Sequence, residues 1–440
     1  MGKFPAAVVA IAALLPAAAA AQPPSLAARA DALVAKGESQ VIAWRRWIHQ
    51  NPELSYQETK TAATIAGALA AMPGMKVREG IAKTGVKGVL VGGKPGPVIA
   101  LRADMDALPV EEKTGLAYAS VSKAMWRGQE SFVAHACGHD AHVAMLLGAA
   151  DALARMREDL PGTVVFLFQP AEEWGGDDNG TPSGATLMVR EGVLADPKVE
   201  LVLGQHVGGE SPSGTIRLRK GSIMASGDDF RIVVKGKGSH GAMPWGGKDP
   251  ILVAAEIALS MQTIVSREAN LVDEGPLVVT VGVLQGGNRE NIIPETAELR
   301  GTIRTLSEKT RRLAHASVKR KAEKIAEASG LTAEVTLTLG YPVLTNHPGL
   351  VERVWPALER AAGAGRVLEV PPIMAAEDFG AFGAGIPTMY WFLAASPFGD
   401  RPGPPNHSPF FTIDEAVLAV GTRALVQASI EVLSRPAGTR

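Results

Sequence analysis

The sequence predicts an α/β fold in which a largely parallel sheet, flanked by helices, is interrupted by an inserted α+β domain. Two observations predict the main sheet: short apolar runs alternate with helical segments, and several of these runs end in polar residues. A third observation predicts the insertion, because between about residues 223 and 341 apolar residues alternate as in antiparallel strands. A length of 440 residues with 46% hydrophobic content favours two or three domains, each able to bury a core.

The first predicted elements are helices. Helical periodicity after residue 24 stops at Asn51 and Pro52, where proline disfavours continuation, and a second helix is expected from about Glu58 to Ala71. The strands of the main sheet are expected in the runs VKGVLVGG, GPVIALRADMDALP, GTVVFLFQPAEEW, VELVLGQHVG and IPTMYWFLA.

The inserted domain is predicted from four segments with strand character. They are DDFRIVVKGKGSHGAMPW, PLVVTVGVLQGG, ETAELRGTIRTL and LTAEVTLTLGY. Two helices are expected between them, near Pro250 to Ser266 and near Ser307 to Ser329. We therefore expect the main domain to comprise residues 22–222 and 342–440, with the insertion at 223–341.

Residues 1–21 have the features of a signal peptide. Lys3 gives a short positive region, an apolar run extends to Leu15, and alanines before Gln22 offer a cleavage site. We therefore expect an exported protein, periplasmic or secreted. The alternative is a retained membrane anchor, but Pro16 interrupts the run, which is shorter than the roughly 20 residues that a spanning helix needs. No later segment resembles a membrane span.

The charge balance excludes several classes of partner. Lys and Arg number 44 and Asp and Glu 45, so the formal net charge is -1. No basic excess is available to attract nucleic acid or an anionic membrane surface. The sequence therefore predicts a small-molecule partner, no nucleic acid and no stable membrane insertion.

The only cysteine, Cys137, lies in the stretch SFVAHACGHDAH. A single cysteine cannot form an internal disulfide, and a lone cysteine is commonly a small buried hydrophobic residue. Here His139 follows after one glycine, and thiolate and imidazole are preferred zinc ligands. His135 and His142 could equally be ligands or ordinary core or surface histidines.

Polar residues that end the apolar runs add further candidate ligands. Asp104, the pair Glu172 and Glu173, and His206 each follow a predicted strand, and ligands bind at that edge of open α/β sheets. Two adjacent carboxylates in an apolar setting do not both ionise without a cation, which favours a metal ion here. The alternative interpretation is that Glu172 and Glu173 form an ordinary exposed pair. Together the residue types suit two metal ions that share one ligand: Cys137, His139, Glu173, His206 and His407.

Nine motifs resemble one known family. They are RADMDALPVEE, HACGHDAH, QPAEE, GQHVG, SHGAMPW, NIIPE, GTIRT, AAEDFGAF and NHSPFF. In this order they resemble the M20 metallopeptidase family, in particular its amidohydrolase branch of hippurate hydrolases, N-acyl-amino-acid aminoacylases and plant auxin-conjugate hydrolases. The resemblance spans nearly the whole mature chain. It implies a catalytic domain interrupted by a lid domain, through which we expect a homodimer to form.

The resemblance also implies roles at the metal site. Cys137 would bridge two divalent ions, of which one is also bound by His139 and His206 and the other by Glu173 and His407. Glu172 would be the general base that activates the bridging water and returns the proton to the leaving amine. Because other branches have a histidine where this chain has Asp104, the resemblance implies that Asp104 and Asp106 support the ligands and do not bind metal.

Three lid residues receive roles by the same resemblance. His240 would stabilise the oxyanion of the tetrahedral intermediate, from its own chain or from the partner subunit. Asn291 and Arg304 match positions that hold the substrate carboxylate, for which the guanidinium fork is suited. For Arg304 the alternative is an ordinary salt bridge on a strand face.

The sequence thus predicts an exported dinuclear metal amidohydrolase for N-acyl amino acids, aromatic acyl groups included, or similar amides with a carboxylate. The thiolate favours Zn²⁺, with Mn²⁺ or Co²⁺ as alternatives. A dipeptidase or carboxypeptidase of the same family is the nearest alternative. A protein that binds metal or an acyl amino acid without turnover is a third, but binding alone needs no base such as Glu172.

Overall fold

A computed structural model describes Gly2 and residues 24–173 and 181–434. The predicted signal peptide lies outside the described residues except for Gly2. The described residues form eight α-helices: α1 (Leu26–Gln50), α2 (Thr59–Ala70), α3 (His139–Arg155), α4 (Gly184–Arg190), α5 (Pro250–Thr263), α6 (Glu308–Ala328), α7 (Pro348–Ala362) and α8 (Val417–Ser434).

The same residues form eighteen strands, most of them short. They are β1 (Met75–Ile81), β2 (Gly85–Val91), β3 (Lys94–Asp104), β4 (Lys123–Trp126), β5 (Gln129–Phe132), β6 (Pro161–Gln169), β7 (Leu201–Gly208), β8 (Ile216–Leu218), β9 (Gly221–Met224), β10 (Gly227–Lys235), β11 (Ser239–His240), β12 (Leu277–Gly286), β13 (Ile292–Ile293), β14 (Thr296–Thr305), β15 (Thr332–Tyr341), β16 (Leu344–Asn346), β17 (Val367–Glu369) and β18 (Thr388–Ala394).

Local sequence sets the start of several helices. The hydroxyl of Ser25 accepts a hydrogen bond from the amide of Ala28 at the start of α1, and Ser307 does the same at α6. The Asp249 carboxylate caps α5, whose first residue is proline, a residue with no amide hydrogen to satisfy. α1 ends at Gln50, before the Asn51 and Pro52 pair that predicted its end.

The main sheet has eight strands in the order β1-β2-β6-β3-β7-β18-β8-β17. Its central strands β6, β3, β7 and β18 are parallel to one another, whereas β1 and β2 pair antiparallel at one edge and β8 runs against β18 near the other. The prediction of a largely parallel sheet is confirmed. Because the central strands are parallel, their carboxyl ends meet at one edge, where the polar residues collect.

Helical segments cover both faces of this sheet. Gly421 of α8 lies against Gln205 and Leu393, which point to one face. Gly204 and Tyr390 point to the other face, where Phe379 of a 3₁₀ turn packs. Residues that are buried on both faces form one continuous apolar core.

Helix α8 is long and apolar enough to cross a membrane, a property that the sequence analysis did not recognise. In the fold, 72% of this stretch is buried, and it packs against α3 and α7. Its position in the core of the main domain accounts for its apolar composition.

The inserted segment forms a separate sheet with its own core. Strands β12, β14, β10 and β15 lie side by side in that order, all antiparallel, and α5 and α6 pack against them. β9 and β16 pair where the chain enters and leaves the insertion. α5 ends at Thr263 rather than near Ser266, and a π-helical turn at Ile264–Glu268 continues it.

Several strands were not predicted from the sequence. They are β1, the hairpin of β4 and β5, and the short strands β8, β9, β13, β16 and β17. Runs of two to four residues, or exposed strands such as β1, carry too little apolar alternation to be recognised. The expectation that one apolar run ends at His206 was wrong, since β7 continues through His206 to Gly208.

Asp228 joins α6 to the sheet of the inserted domain. Its buried carboxylate accepts two hydrogen bonds from Arg311, at 2.5 and 2.7 Å, and lies 2.8 Å from Nε2 of His315. The amide of Gly340 in β15 donates a third hydrogen bond. Burial raises the pKa of Asp228, but the hydrogen bonds from Arg311 and His315 outweigh it, so the pKa lies below its usual value.

We predict that Asp228→Asn destabilises the inserted domain by about 3 kcal/mol, since one partner of a buried ion pair is lost. Hydrogen exchange of the β10 and α6 amides measures the change. The ionised carboxylate of Asp228 stabilises the fold above about pH 3.9, the usual pKa of an aspartate in the unfolded chain. This stabilisation is lost as the pH falls through the lower pKa of the folded state. The difference in stability between wild type and Asp228→Asn therefore narrows in acid. Glu334→Gln, which breaks an exposed pair with Lys235, is the control, with an effect of at most about 1 kcal/mol. Equal effects of the two substitutions would contradict the conclusion that Asp228 joins α6 to the sheet through a buried ion pair.

Candidate active site

A glycine turn places Cys137 and His139 against strand β7. Gly138, the N-cap of α3, has φ 87, and a Cβ atom there would lie 2.4 Å from a methyl carbon of Val207. Only glycine combines this conformation with this close approach. His139 is consequently the first residue of α3, directed to the carboxyl edge of the sheet.

The structure brings the five predicted metal ligands into two overlapping groups. Ligand atoms of Cys137, His139 and His206 lie within 4.8 Å of one another, and so do those of Cys137, Glu173 and His407. Sγ of Cys137 is 3.4 Å from Nε2 of His206, and Nε2 of His407 is 3.1 Å from Oε1 of Glu173. Cys137 is common to both groups, as expected of a bridging ligand.

The donor atoms fit two divalent cations. Nδ1 of His139 lies 2.8 Å from the carbonyl oxygen of Asp106, and Nδ1 of His206 lies 2.7 Å from that of Val207, so each Nε2 is left as an acceptor facing the centre. Nε2 of His139 is buried, with no hydrogen-bond partner among the described residues, and Oε1 of Glu173 is buried with Nε2 of His407 beside it. Such atoms are costly unless a cation or donor satisfies them.

Asp106 orients the two glutamates. Its carboxylate accepts the backbone amides of Glu172 and Glu173, both at 3.1 Å, and the hydroxyl of Ser55 at 2.6 Å. The same carboxylate lies 3.3 Å from Nδ1 of His139. Asp106 therefore fixes the glutamate turn relative to one candidate ligand.

Asp104 and His142 form a hydrogen-bonded layer behind the ligands. Asp104 lies 2.5 Å from Nδ1 of His142, and it also accepts from Arg102 at 2.7 Å. Nε2 of His142 accepts the amide of Val207 at 2.8 Å. Because both of its ring nitrogens are used, His142 has a structural role here. His135 belongs to none of the ligand groups found among the described residues, and burial lowers its pKa to about 3.

Carboxylates are concentrated around one buried guanidinium. Arg102 donates to Asp104, Glu377 and Asp378 at 2.7 to 3.0 Å, and these residues are at most 2% exposed. Burial raises the pKa of Glu172 well above its usual value, and the charges of Glu377 and Glu173 raise it further. Without a cation nearby, such a carboxyl group resists ionisation.

Sequence reasoning missed a buried network beneath the metal loop. Nε of Arg45 and Nδ1 of His49 both lie 2.8 Å from Asp140, which follows His139, and Nε2 of His49 lies 3.0 Å from Glu112. The signal was an arginine and a histidine four residues apart in the stretch WRRWIH of an amphipathic helix. That spacing puts both on one helix face, which is buried in the structure.

Two other supporting residues were also missed. The buried Glu58 accepts the amide of Ala171, which has φ 49 and immediately precedes Glu172. Asn406 donates to the carbonyl oxygen of Cys137 at 3.0 Å, and its amide nitrogen lies 3.6 Å from the sulfur. Neither residue lies in a pattern whose chemistry is apparent from the sequence alone.

The predicted lid residues are placed differently from the ligands. His240 and Asn291 are exposed and adjacent, since β11 pairs with β13 and the Asn291 carbonyl accepts the amide of Gly241. Among the described residues, no hydrogen bond or ion pair joins His240 to the five candidate ligands. Arg304 is half-buried at the junction of the two domains. Its guanidinium and the side chain of Ala376 both lie close to Gly227.

Comparison with known proteins identifies the family. The model of peptidase family M20/M25/M40 matches residues 100–431. Thermostable carboxypeptidase 2 of Saccharolobus solfataricus is 40% identical over 391 residues, 88% of this chain and 94% of that protein. N-acetyl-L-cysteine deacetylase of Bacillus subtilis is 38% identical over 396 residues, 90% of this chain and 89% of that protein.

A solved structure agrees with these matches. The crystal structure of the Bacillus subtilis YXEP protein, a dinuclear metal binding peptidase from the M20 family, has a TM-score of 0.75 and 32% identity and covers 91% of this chain and 99% of its own. The chain belongs to peptidase family M20/M25/M40. Within this family it lies in the amidohydrolase branch, and it is an enzyme. The predicted family, fold class and enzyme class are confirmed.

We predict that Gly138→Ala sharply lowers metal occupancy, because the new Cβ atom conflicts with Val207 and the left-handed conformation disfavours alanine. Metal analysis of the purified variant measures this. Gly128→Ala is a matched control, since Gly128 has φ 80 but no atom within 4 Å of the added Cβ position. Normal metal content in Gly138→Ala would show that the turn does not position the ligands.

Proposed function

We propose that this enzyme is an exported amidohydrolase that cleaves the amide bond of N-acyl amino acids, aromatic acyl groups included. One observation carries the proposal: Glu172, a buried carboxyl group outside the five candidate ligands, lies next to the candidate ligand Glu173. A binding protein without turnover needs no such group. A carboxypeptidase among the relatives supports a second candidate function, the hydrolysis of peptides at their carboxyl terminus.

The chain's own residues supply the proton transfers. When bound, two divalent cations polarise the substrate carbonyl and acidify a water molecule. Glu172 accepts a proton from the attacking water as the new carbon–oxygen bond forms, and gives that proton to the amide nitrogen as the carbon–nitrogen bond breaks. The products are a carboxylic acid and a free amine. The thiolate of Cys137 favours Zn²⁺ over Mn²⁺ or Co²⁺.

Substrate binding is assigned to the lid side of the site. Tyr341, at the end of the inserted segment, donates a hydrogen bond to the carbonyl oxygen of Glu172, so the insertion approaches the site from this side. Arg304 at the junction would bind the carboxylate of the amino acid, with Asn291 as a second donor. An N-acetyl-L-cysteine deacetylase among the relatives supports a substrate of this kind.

The lid also has features of a dimer interface. Strand β12 is an edge of its sheet, and the neighbouring helix α5 exposes Leu252 and Leu259 at 70% and 75%. An apolar patch beside an open strand edge favours association with a second copy. We therefore assign a homodimer through the lid, in which the exposed His240 of one subunit serves the site of the other. The signal-peptide features of residues 1–21 support export.

We predict that Glu172→Gln retains both metal ions but lowers kcat by about a hundredfold or more, since general acid–base catalysis contributes roughly 10² to 10⁴. Kinetics on an N-acyl amino acid panel and metal analysis measure both quantities. Glu352→Gln, which removes an exposed carboxylate paired with Lys220, is the control and should stay within about twofold. Activity of Glu172→Gln within a few fold of wild type would contradict the proton-transfer role, and loss of metal would identify Glu172 as a ligand.

We predict that His240→Ala lowers kcat and kcat/KM by similar factors with metal content intact, because an oxyanion donor acts mainly in the transition state. Mixing His240→Ala with Glu172→Gln protomers should restore activity, because some mixed sites then hold both groups. The control mixes a double variant, with both changes on one chain, with protomers of Glu172→Gln. No site in this mixture holds both Glu172 and His240, so no activity should return. No recovery in a sample shown to exchange subunits would contradict a site shared between subunits.

A further inference from the structure

A cavity of about 650 Å³ opens beside the candidate metal centre. One wall is the loop that follows β7 and the other is the loop that precedes His407. Asn406, which contacts Cys137, lines the cavity with Gly209, Glu210, Ser211, Arg217, Leu368, Glu369, Val370, Pro402, Gly403 and Pro405. The cavity therefore begins one side chain away from the candidate bridging thiolate.

The floor of the cavity is continuous with the site. Phe392 of β18 is directly opposite His206 of β7 and opposite Arg217 of β8, and Arg217 is directly opposite Leu368 of β17. Residues directly opposite each other on neighbouring strands point to the same face. With strands roughly 4.8 Å apart, the backbone of Arg217 lies about 10 Å from that of His206. This row leads from a candidate ligand to the cavity.

Glu210 places a carboxylate at the inner end of the cavity. Gly208 shares the face of His206, two residues earlier in β7, and the position that its Cβ would take lies 2.1 Å from Oε2 of Glu210. Oε2 is buried and has no hydrogen-bond partner among the described residues. Oε1 lies 3.5 Å from the guanidinium of Arg217, too far for a good hydrogen bond. Glu210 thus offers an acceptor that no donor of the described chain satisfies.

The position of the cavity indicates which part of a substrate it receives. Tyr341 contacts Glu172 and is directly opposite Gly227, beside which Arg304 lies, whereas the cavity lies on the side of Asn406. A substrate whose carboxylate is bound by Arg304 directs its acyl group the other way, into the cavity. This step rests on the proposed function.

We propose that the cavity is the acyl-group subsite and that Glu210 binds a free α-ammonium group on the acyl part, so that dipeptides are preferred to simple acyl amino acids. In a dipeptide this nitrogen is two bonds from the scissile carbonyl carbon, so it lies at the start of the acyl subsite. An ammonium donor would satisfy the buried Oε2 with a charge-assisted hydrogen bond.

The test compares matched substrates that differ only in the amine. L-Alanyl and N-propionyl derivatives of the same amino acids, such as leucine, methionine and phenylalanine, are hydrolysed by the metal-loaded wild-type enzyme and its variants. The ratio of kcat/KM for alanyl over propionyl substrates should fall about tenfold or more in Glu210→Gln, since a hydrogen bond between charged groups is weakened. Gly208→Ala should lower the same ratio, because its added methyl group displaces the Glu210 carboxylate.

The control is Glu369→Gln, which removes the same charge from another lining residue of the cavity, at the end of β17. If Glu369→Gln changes the ratio of kcat/KM for alanyl over propionyl substrates by no more than about twofold, the proposal is supported. A change equal to that of Glu210→Gln overturns it in favour of a general charge effect. Hydrolysis with an unaltered ratio in Glu210→Gln overturns the subsite but leaves the proposed function standing. Hydrolysis of neither substrate class by the metal-loaded wild-type enzyme overturns both.

Discussion

The concentration of negative charge at the carboxyl edge of the sheet is the constraint on which the rest of the site depends. Three carboxylates contact the single guanidinium of Arg102, and Glu172 and Glu173 lie next to them. One buried positive charge cannot neutralise this set, and uncompensated buried charges are costly. Two divalent cations would supply the missing charge, and in their absence burial and the neighbouring carboxylates raise the pKa of Glu172.

Much of the surrounding structure holds these charged groups in place. Asp106 fixes the glutamate turn through two backbone amides, and the buried Glu58 holds the residue before that turn. Beneath the cysteine loop, Arg45 and His49 of α1 fix Asp140 at the start of α3. The amino-terminal helix therefore contributes to the site without reaching it. Supporting hydrogen bonds of this kind orient metal ligands and tune their affinity.

The sequence was most informative where residue type alone determines structure or chemistry. Central strands contain long buried apolar runs, so β3, β6, β7 and β18 were found, whereas three-residue strands such as β8 have no periodicity to detect. The five candidate ligands were recognised because thiolate, imidazole and carboxylate at strand ends have few other uses in combination. Arg102 and Glu58 could not be assigned, because their roles depend on partners far away in the chain, such as Glu377 for Arg102.

The chain enters the inserted domain after His206 and has returned to the main domain before His407. The insertion must therefore not disturb the ligands on either side of it. Strands β9 and β16 pair at its two ends, and the side chain of Asn346 in β16 hydrogen bonds to both the carbonyl and the amide of Tyr390 in β18. The hydroxyl of Tyr390 donates to Glu377, which also accepts from Arg102. The closure of the insertion is thereby coupled, through buried hydrogen bonds, to the charged cluster that positions the candidate metal centre.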